Sequence, residues 1–214
     1  MMLRDAEQLR VATGCTRERA ELYLPFLQGT MKAYAITSQR RMAGFLSQIS
    51  HESAQLSRLS ESLNYSVDGL MRTFGRHRIS AADCRRLGRA AGRPAQQDAI
   101  ANAVYGGRWG LENLGNSEPG DGWRFRGRGL KQLTGRDNYA RCGFAIGEDF
   151  LSNPDRLLMP VNAALSAGWF WASHRLNEIA DRGDVAAMTR VVNGGANGLA
   201  ERTALFGQAL GVFA

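Results

Sequence analysis

Apolar residues recur at three- and four-residue steps along most of the 214-residue chain. Such spacing places them on one face of an amphipathic helix. The pattern is strongest from about Ser38 to Leu59, where it includes Met42, Phe45, Leu46, Ile49 and Leu56. Further helices are predicted over Thr16 to Ala33 with an interruption at Pro25, over Val161 to His174, over Val185 to Val192 and over Leu199 to Leu210.

Capping and turn residues divide the rest of the chain into short pieces. Ser66 is placed to begin the helix that starts with VDGLMRTF, and Asp184 is placed to begin a later one. The GRP sequence at Gly92 to Pro94 breaks the basic, helix-prone region between residues 66 and 105. Strand alternation is confined to short pieces near Phe125, so the sequence predicts a mainly α fold.

A glycine-rich segment from Gly106 to Tyr139 interrupts the helical pattern. It contains nine glycines, and it also carries large aromatic side chains at Trp109, Trp123 and Phe125. An irregular segment of this length is uncommon in a compact domain and is usually functional or disordered. Because large aromatics argue against disorder, we predict an ordered functional loop.

The chain is strongly basic, with a formal net charge of +7 and an isoelectric point near 9.9. This excess favours polyanionic partners such as nucleic acid, acidic lipid or an anionic cell envelope, without choosing among them. The length fits one domain, or one domain with an inserted lobe.

The cysteines and the hydropathy of the chain indicate the compartment in which the protein is made. Cys15, Cys84 and Cys142 lie far apart and form no C-x-x-C pair, which predicts reduced thiols and neither zinc ligands nor a disulfide framework. The first residues, MMLRDAEQLRVATG, lack the apolar core of a signal peptide, so we expect synthesis in a cytoplasm. No apolar run reaches 18 residues, and we therefore expect no membrane insertion.

The stretch SHESAQLSRLSES contains two glutamates nine positions apart. The first, Glu52, follows Ile49 by three residues and precedes Leu56 by four, which puts its carboxylate on the apolar face of the predicted helix. Burial there favours the neutral form of a carboxyl group, as a general acid requires. The alternative is a structural carboxylate bonded to a buried arginine or a backbone donor.

The sequence argues against a metal site. His51 and Glu52 begin like the His-Glu-x-x-His motif of zinc proteases, but Gln55 occupies the position of the second histidine. His51 also lies about 100° around the helix from Glu52. His77 and His174 are distant in sequence and form no recognisable ligand set, so we predict no catalytic metal.

Glu61 would lie on the opposite side of one continuous helix, because nine residues correspond to roughly 180° of rotation and about 13 Å of rise. Asn64 and Ser66 favour turns and caps, however, so a chain that turns after about Leu59 would return Glu61 across a groove from Glu52. Two carboxylates that flank a sugar and a water molecule are what an inverting glycosidase needs. The alternative is a solvated surface glutamate.

The second half of the glycine-rich segment, GRGLKQLTGRDNY, lacks the G-x-x-x-x-G-K-[ST] pattern of a phosphate-binding loop. It places three neutral hydrogen-bonding residues, Gln132, Thr134 and Asn138, among glycines that allow a ligand to approach closely. The aromatic residues of the segment, Trp123 among them, could stack on sugars or on bases, or pack within the loop.

Four motifs in this order resemble glycoside hydrolase family 19, the chitinase-like family with a lysozyme-like α-helical fold. They are FLSQISHES around Glu52, ESLNYS at Glu61, RGRGLKQLTGRDNY from Arg126 to Tyr139, and VVNGG, which ends with Asn193 to Gly195. The similarity covers roughly Arg40 to Leu210.

The resemblance implies an inverting hydrolysis without a cofactor. By their positions in the motifs, Glu52 matches the general acid, Glu61 the general base, and Thr134 the hydroxyl residue that helps hold the attacking water. The residues expected to bind substrate or to order the site are Gln132, Asn138, Asn193, Trp123 and Arg202, the last as an arginine that organises the acidic pair.

The resemblance also sets expectations for domains and partners. We expect a single catalytic domain over residues 1–214, with a small helical lobe inserted at approximately 66–105 and no separate cell-wall-binding domain. The protein is expected to be a monomer that binds glycan strands of bacterial peptidoglycan and the anionic envelope, and not nucleic acid.

The stretch YLPFLQGTMKAYAITSQRRMAGFL and the compact basic chain are similar to the bacteriophage and prophage branch of the family, whose members are endolysins that cut peptidoglycan. Release through a membrane lesion made by a holin fits the missing signal. The cysteines differ from the disulfides of secreted plant chitinases. The alternatives are a bacterial chitinase, a lytic transglycosylase, and a non-catalytic basic module that binds wall or nucleic acid.

Overall fold

The computed structural model describes residues 2–214, and α-helices predominate throughout this part of the chain. The predicted mainly α class is therefore confirmed. A 3-10 helix covers Pro154–Leu158. The α-helices of the described residues are α1 (Ala6–Thr13), α2 (Arg17–Ala33), α3 (Gln39–Glu52), α4 (Val67–Thr73), α5 (Ala81–Leu87), α6 (Gln97–Val104), α7 (Gly107–Leu114), α8 (Asp121–Arg124), α9 (Arg136–Ile146), α10 (Pro160–Ser173), α11 (Leu176–Asp181), α12 (Val185–Asn193) and α13 (Leu199–Phe213).

The chain forms two compact units. The first comprises Met1–Leu59, Gly129–Gln132 and Arg156–Ala214, and the second comprises Ser60–Arg128 and Leu133–Asp155. The lobe expected at approximately 66–105 lies entirely within the second unit. The organisation as a single catalytic domain stays a prediction.

The centre of the first unit is α3, which packs against α1, α11, α12 and α13. Its Gly44 allows close packing, because a Cβ atom there would lie 2.8 Å from Sδ of Met188. On the same helix, Phe45 meets Trp171 edge to face with ring centroids 5.5 Å apart. Such a pair contributes about 1 kcal/mol beyond the burial of its apolar area.

The predicted interruption of α2 at Pro25 is wrong, because one helix runs through the proline from Arg17 to Ala33. Proline lacks the N–H that would bond one turn back, which normally weakens a helix interior. Here the buried side chains of Tyr23 and Leu27 flank the proline and anchor both halves of the helix in the core. Tertiary packing therefore outweighs the local cost.

The predicted helix from about Ser38 to Leu59 begins as expected but ends seven residues early, at Glu52. Ser38 caps its start by accepting a hydrogen bond from the N–H of Arg41. Beyond the helix, Ala54, Gln55 and Leu56 all adopt the left-handed conformation, with φ between 48° and 61°. This conformation is unfavourable for residues with a side chain. The spacing of apolar residues does not predict it.

Ser53 supports this left-handed turn. Its Oγ donates to the carbonyl of Ile49 at 2.6 Å and accepts from the N–H of Leu56 at 3.0 Å. Its carbonyl accepts from the N–H of Arg58 at 2.7 Å. The chain therefore does leave the helix between the two glutamates, directly after Glu52.

The second unit has its own apolar core beneath short helices. The confirmed N-cap Ser66 begins α4 by accepting from the N–H of Gly69 at 3.0 Å, and α4 packs against α5. As predicted, the region that contains GRP separates α5 from α6. The core consists of buried residues of α4, α5 and α6 and of the segments beside them: Leu63, Leu70, Phe74, Ile79, Cys84, Leu87, Ile100, Ala101 and Val104.

The glycine-rich segment is more regular than predicted, because it contains α7 and α8 and the beginning of α9. Within its remaining irregular part, Arg128 is fully buried and forms an ion pair of 2.8 Å with Asp155. Arg128 also donates to the hydroxyl of Tyr139 at 3.0 Å, and that hydroxyl donates to the carbonyl of Arg126 at 2.6 Å. A buried polar network therefore orders this part of the segment.

Candidate active site

Glu52 is the last residue of α3, and its side chain retains 15% exposure. Its Oε1 accepts a hydrogen bond from Nη2 of Arg202, which projects from α13 and is almost completely buried. The structure thus brings together two residues that are 150 positions apart in sequence. A carboxylate paired with a buried guanidinium has a fixed orientation, while its exposed edge remains open to a ligand.

Arg202 is itself held by a second acceptor on α3. Its Nη1 donates to Oε1 of Gln48 at 2.5 Å, and Nε2 of Gln48 lies 3.4 Å from Oγ1 of Thr189. Thr189 in turn donates to the carbonyl of Val185 at 2.8 Å. This chain of contacts fixes the guanidinium that orients Glu52.

A second polar pair lies beside the first. Nδ1 of His51 is 3.1 Å from Oε2 of Glu201, so two consecutive residues of α3 face two consecutive residues of α13. Gly198 allows this approach, because its φ is +72° and a Cβ atom there would lie 2.3 Å from the ring of His51. His51 therefore contacts α13 through the carboxylate of Glu201.

The segment Gly129–Gln132 also belongs to the first unit. Gln132 has a left-handed backbone, and its Nε2 donates to the carbonyls of Gly129 at 2.9 Å and of Arg58 at 3.2 Å. Its neighbour Lys131 is half-buried, with Nζ 4.4 Å from the centroid of the Phe170 ring. Both side chains are therefore ordered.

Asn193 ends α12, where Gly194 continues the chain in the left-handed conformation. The Nδ2 of Asn193 donates to the carbonyl of Asn197 at 3.3 Å. The side chain therefore spans the turn NGGANG and holds its two ends together.

Glu61 lies in the second unit, where three hydrogen bonds hold it. Its Oε2 accepts from the hydroxyl of Tyr105 at 2.8 Å, and its Oε1 accepts from the N–H of Gly127 at 2.5 Å. Its own N–H donates to the carbonyl of Gly127 at 3.0 Å. Because both oxygens accept from donors, the carboxylate is held in one orientation.

Tyr105 is kept neutral and in place by its surroundings. Burial raises the pKa of its hydroxyl, and the neighbouring charge of Glu61 raises it further. The guanidinium of Arg78 lies 5.4 Å from the Tyr105 ring and 3.7 Å from the Trp109 ring, and burial lowers the pKa of Arg78. Trp109 therefore packs within the second unit.

The second unit also contains the other predicted residues of the glycine-rich segment. Nδ2 of Asn138 donates to the carbonyl of Thr134 at 2.8 Å, so these two residues are in contact. The ring of Trp123 is half-buried, and the guanidinium of Arg126 lies 3.8 Å from its centroid. The N–H of Trp123 is bonded to Oδ1 of Asn102 at 2.8 Å.

Sequence reasoning missed one residue that bonds to Arg202 and two that bond to Glu61. Gln48 could have been found, because it lies one helical turn before Glu52 on the same face of α3. Tyr105 and Gly127 are 44 and 66 positions from Glu61, and no periodic pattern relates them to it.

The arrangement supplies two carboxylates in different electrostatic environments, one beside a buried arginine and one held by neutral donors. Within residues 2–214, no group of three or more His, Cys, Asp or Glu side chains is placed to hold a metal ion. The helices described for residues 2–214 also include none long and apolar enough to cross a membrane.

Similarity to known proteins places this site in a family. The sequence profile of glycoside hydrolase family 19, chitinase class I, matches residues 113–207. A glycosyl hydrolase family 19 domain-containing protein of Haemophilus influenzae is 35% identical over 170 residues, which is 79% of this chain and 78% of that protein. Endochitinase 1 of Theobroma cacao is 51% identical over 51 residues, which is 23% of this chain and only 16% of the plant protein.

Solved structures show the same fold. A bacterial family 19 chitinase superposes with a TM-score of 0.64 at 17% identity, covering 98% of this chain and 94% of that one. Chitinase C of Streptomyces griseus gives a TM-score of 0.57 at 18% identity, covering 98% and 76%. With the extended similarity to the Haemophilus protein, the chain belongs to glycoside hydrolase family 19 and is a glycoside hydrolase with the chitinase-like helical fold.

Proposed function

We propose that this enzyme hydrolyses β-1,4 bonds between N-acetylhexosamines with Glu52 as general acid and Glu61 as general base. The observation that carries the proposal is that each of the two carboxylates is held in one orientation by its own donors. Glu61 accepts hydrogen bonds at both oxygens, which fixes it as removal of a proton from a bound water requires. Glu52 is oriented by Arg202 and keeps 15% of its side chain exposed.

In the proposed reaction, Glu52 donates its proton to the glycosidic oxygen as the bond from that oxygen to the anomeric carbon breaks. A water molecule attacks the opposite face of the anomeric carbon and gives a proton to Glu61. The product is a reducing end of inverted configuration, and no cofactor is needed. Thr134 helps to hold the water.

The remaining predicted residues would bind the glycan or hold the site in shape. Gln132 and Asn138 would bind sugar hydroxyl and acetamido groups, and Asn193 would hold the turn after α12. Trp123 would stack on a sugar ring beside Arg126. Arg202 orients Glu52 through the contact described above.

We propose peptidoglycan as the substrate, on the basis of charge. Residues 72–93 contain seven arginines against one acidic residue, Asp83, which is a formal charge of +6 out of the +7 of the whole chain. Within residues 2–214, the exposed side chains of Arg72, Arg85 and Arg89 have no hydrogen-bond or ion-pair partner. A concentrated cationic surface favours an anionic envelope over a neutral polymer.

The biological role that follows is that of an endolysin of the phage or prophage type. Such an enzyme would act as a monomer on the cell wall after a holin opened the membrane, and the basic segment would hold it on the envelope.

A bacterial chitinase is the second candidate. It is supported by the solved structures of similar fold, which are chitinases, and by the short match to a plant endochitinase. Chitin and the peptidoglycan glycan share β-1,4-linked N-acetylhexosamines, so the same two carboxylates would serve either substrate.

The two candidates are separated by digesting purified peptidoglycan and colloidal chitin under the same conditions. We expect clearing of the peptidoglycan suspension and, by mass and anomer analysis, reducing ends of inverted configuration. Release of sugars from chitin without clearing of peptidoglycan would establish the chitinase instead. Products with 1,6-anhydro ends would identify a lytic transglycosylase.

A further inference from the structure

The chain contains only two lysines, and they lie in very different surroundings. Lys32 is exposed on α2. Lys131 is half-buried in the segment Gly129–Gln132, beside Gln132 and in the same unit as Glu52. All the other basic side chains except three histidines are arginines. A half-buried lysine in the same unit as the proposed acid therefore requires a physical explanation.

The ammonium group of Lys131 is poorly compensated. Its Nζ lies over the ring of Phe170, which also stacks on the exposed ring of His174. Within residues 2–214 the ammonium group of Lys131 has no hydrogen-bond or ion-pair partner. Burial lowers the pKa of Lys131, the charge of Glu52 raises it, and the charge of Arg202 lowers it again.

In these surroundings, binding of an anionic ligand would stabilise the ammonium group of Lys131. An aromatic ring stabilises an ammonium group only partly, and a charge removed from water is stabilised best by an opposite charge with hydrogen bonds. The carboxylate of Glu52 cannot fill this role alone, because it is bonded to Arg202. A carboxylate brought by the substrate would complete the site.

We propose that Nζ of Lys131 binds a carboxylate of the glycan substrate, carried by a sugar that flanks the cleaved bond. The inference rests on the proposed function, because Glu52 must reach the glycosidic oxygen in order to protonate it. Lys131 lies in the same unit as Glu52 and directly precedes Gln132, which the proposed function assigns to binding a sugar, so its ammonium group would meet a sugar beside that bond.

This carboxylate site would distinguish the two candidate substrates. Chitin carries no charged group. In peptidoglycan, a muramic acid residue without a peptide carries a free lactyl carboxylate. Where a peptide is attached, that carboxyl is an amide and the peptide carries carboxylates of its own. Lys131 is therefore expected to favour the bacterial polymer, and the shared ligand chemistry is a carboxylate close to the glycan backbone.

A matched pair of substrates tests the inference. One is a muramic-acid-containing tetrasaccharide with free lactyl carboxylates, and the other is the same tetrasaccharide with those groups converted to neutral methylamides. The measured quantity is the ratio of kcat/KM for the charged and neutral forms. Lys131→Met is compared with Lys131→Arg, which keeps the charge, and with Lys32→Met, which removes the other lysine.

We expect Lys131→Met to lower this ratio about tenfold, since a charge-assisted hydrogen bond to the substrate is lost. Lys131→Arg and Lys32→Met should keep the ratio. If Lys131→Met lowers kcat/KM for both forms equally, the lysine acts only on Glu52 and the proposal is overturned. An unchanged ratio with full activity overturns it as well.

Peptide-bearing glycan strands identify which carboxylate is used. A Lys131→Met defect seen on the free lactyl form and absent from these strands assigns the ligand to the sugar, because the amide to the peptide removes the lactyl carboxylate. A defect confined to these strands places the ligand on the peptide and overturns the assignment to the sugar.

A binding measurement keeps the inference separate from the proposed function. Reductive ¹³C-methylation labels both lysines, and Lys131→Arg assigns their NMR signals. We expect the charged tetrasaccharide, and not the methylamide, to shift the Lys131 signal. If the wild-type enzyme cuts no peptidoglycan but shows this shift, only the proposed function fails. If it cuts peptidoglycan and neither compound moves the signal, only the lysine site fails.

Discussion

The hydroxyl of Tyr105 donates a 2.8 Å hydrogen bond to Oε2 of Glu61, which lies 44 residues earlier in the chain. Together with the N–H of Gly127, it occupies one lone pair on each carboxylate oxygen. The proposed base is therefore held in one orientation by two donors that remain neutral at the pH of the reaction.

Tyr105→Phe should lower kcat about tenfold, because the proposed base is then held by one donor fewer. The phenyl ring preserves the packing against Arg78, whereas the carboxylate loses one of the two donors that orient its oxygens. Tyr65→Phe is the matched control, because it removes a hydroxyl in the same unit that makes no such contact. An unchanged kcat in the Tyr105→Phe enzyme would contradict this role.

Glu52→Gln and Glu61→Gln should each lower turnover by about 10² or more, because each removes one proton-transfer step. The amide is close in size to the carboxyl group, so both variants should remain folded by circular dichroism. Glu112→Gln, on an exposed helical ion pair, serves as control. Full activity in both site variants would refute the acid–base assignment.

Gln48→Leu should destabilise the protein by about 2 kcal/mol, since Nη1 of the buried Arg202 loses its acceptor. It should also lower kcat, because Arg202 then no longer holds Glu52 firmly. Thr189→Val removes the longer contact to Gln48 and should lower the free energy of unfolding and kcat by smaller amounts. Urea unfolding and steady-state kinetics on the same preparations provide the test. Equal effects of the two variants would contradict the claim that the bond from Arg202 to Gln48 matters more than the contact from Gln48 to Thr189.

The pair of Asp121 and Arg136 should make stability depend on acid pH. Burial raises the pKa of Asp121, but the hydrogen bonds from Arg136 and from the N–H of Glu118 outweigh it, and the net shift is downward. A folded-state pKa below the unfolded value stabilises the protein above the unfolded pKa, and this contribution is lost as the pH falls through the folded value.

Asp121→Asn should therefore lower the free energy of unfolding by about 3 kcal/mol near pH 7, and by much less once the pH falls below the lowered pKa of Asp121. The exposed pair of Glu112 and Arg108 gives the control, because Glu112→Gln should change stability by about 0.5 kcal/mol or less. Thermal unfolding across this pH range would show whether the Asp121 effect fades in acid as required.

The basic segment of residues 72–93 should govern attachment to the envelope. The double variant Arg85→Gln/Arg89→Gln should bind purified cell-wall sacculi several-fold more weakly at low salt, with a smaller loss at high salt. Arg141→Gln/Arg190→Gln also removes two exposed arginines, but they lie outside the segment. Equal losses in the two variants would show that only total charge matters.

The sequence alone indicated the helical class, the N-caps at Ser66 and Asp184 and the four motifs of the family. These features are local, because periodicity and capping depend on residues a few positions apart. It also drew attention to Glu52 and Arg202, although their contact was inferred from the resemblance and not from spacing.

Only the tertiary structure decided which groups surround each carboxylate and where α3 ends. The partners of Glu52 and Glu61 come from elements 150 and 44 positions away, and hydrogen bonds over such separations leave no periodic signal. Likewise, the apolar pattern does not reveal that the backbone becomes left-handed at Ala54, Gln55 and Leu56. Leu56 is buried after this turn, just as it would be on a continuing helix, so the spacing of apolar residues is the same in both cases. Burial can be inferred from a sequence pattern, whereas the backbone path that achieves it is set by packing.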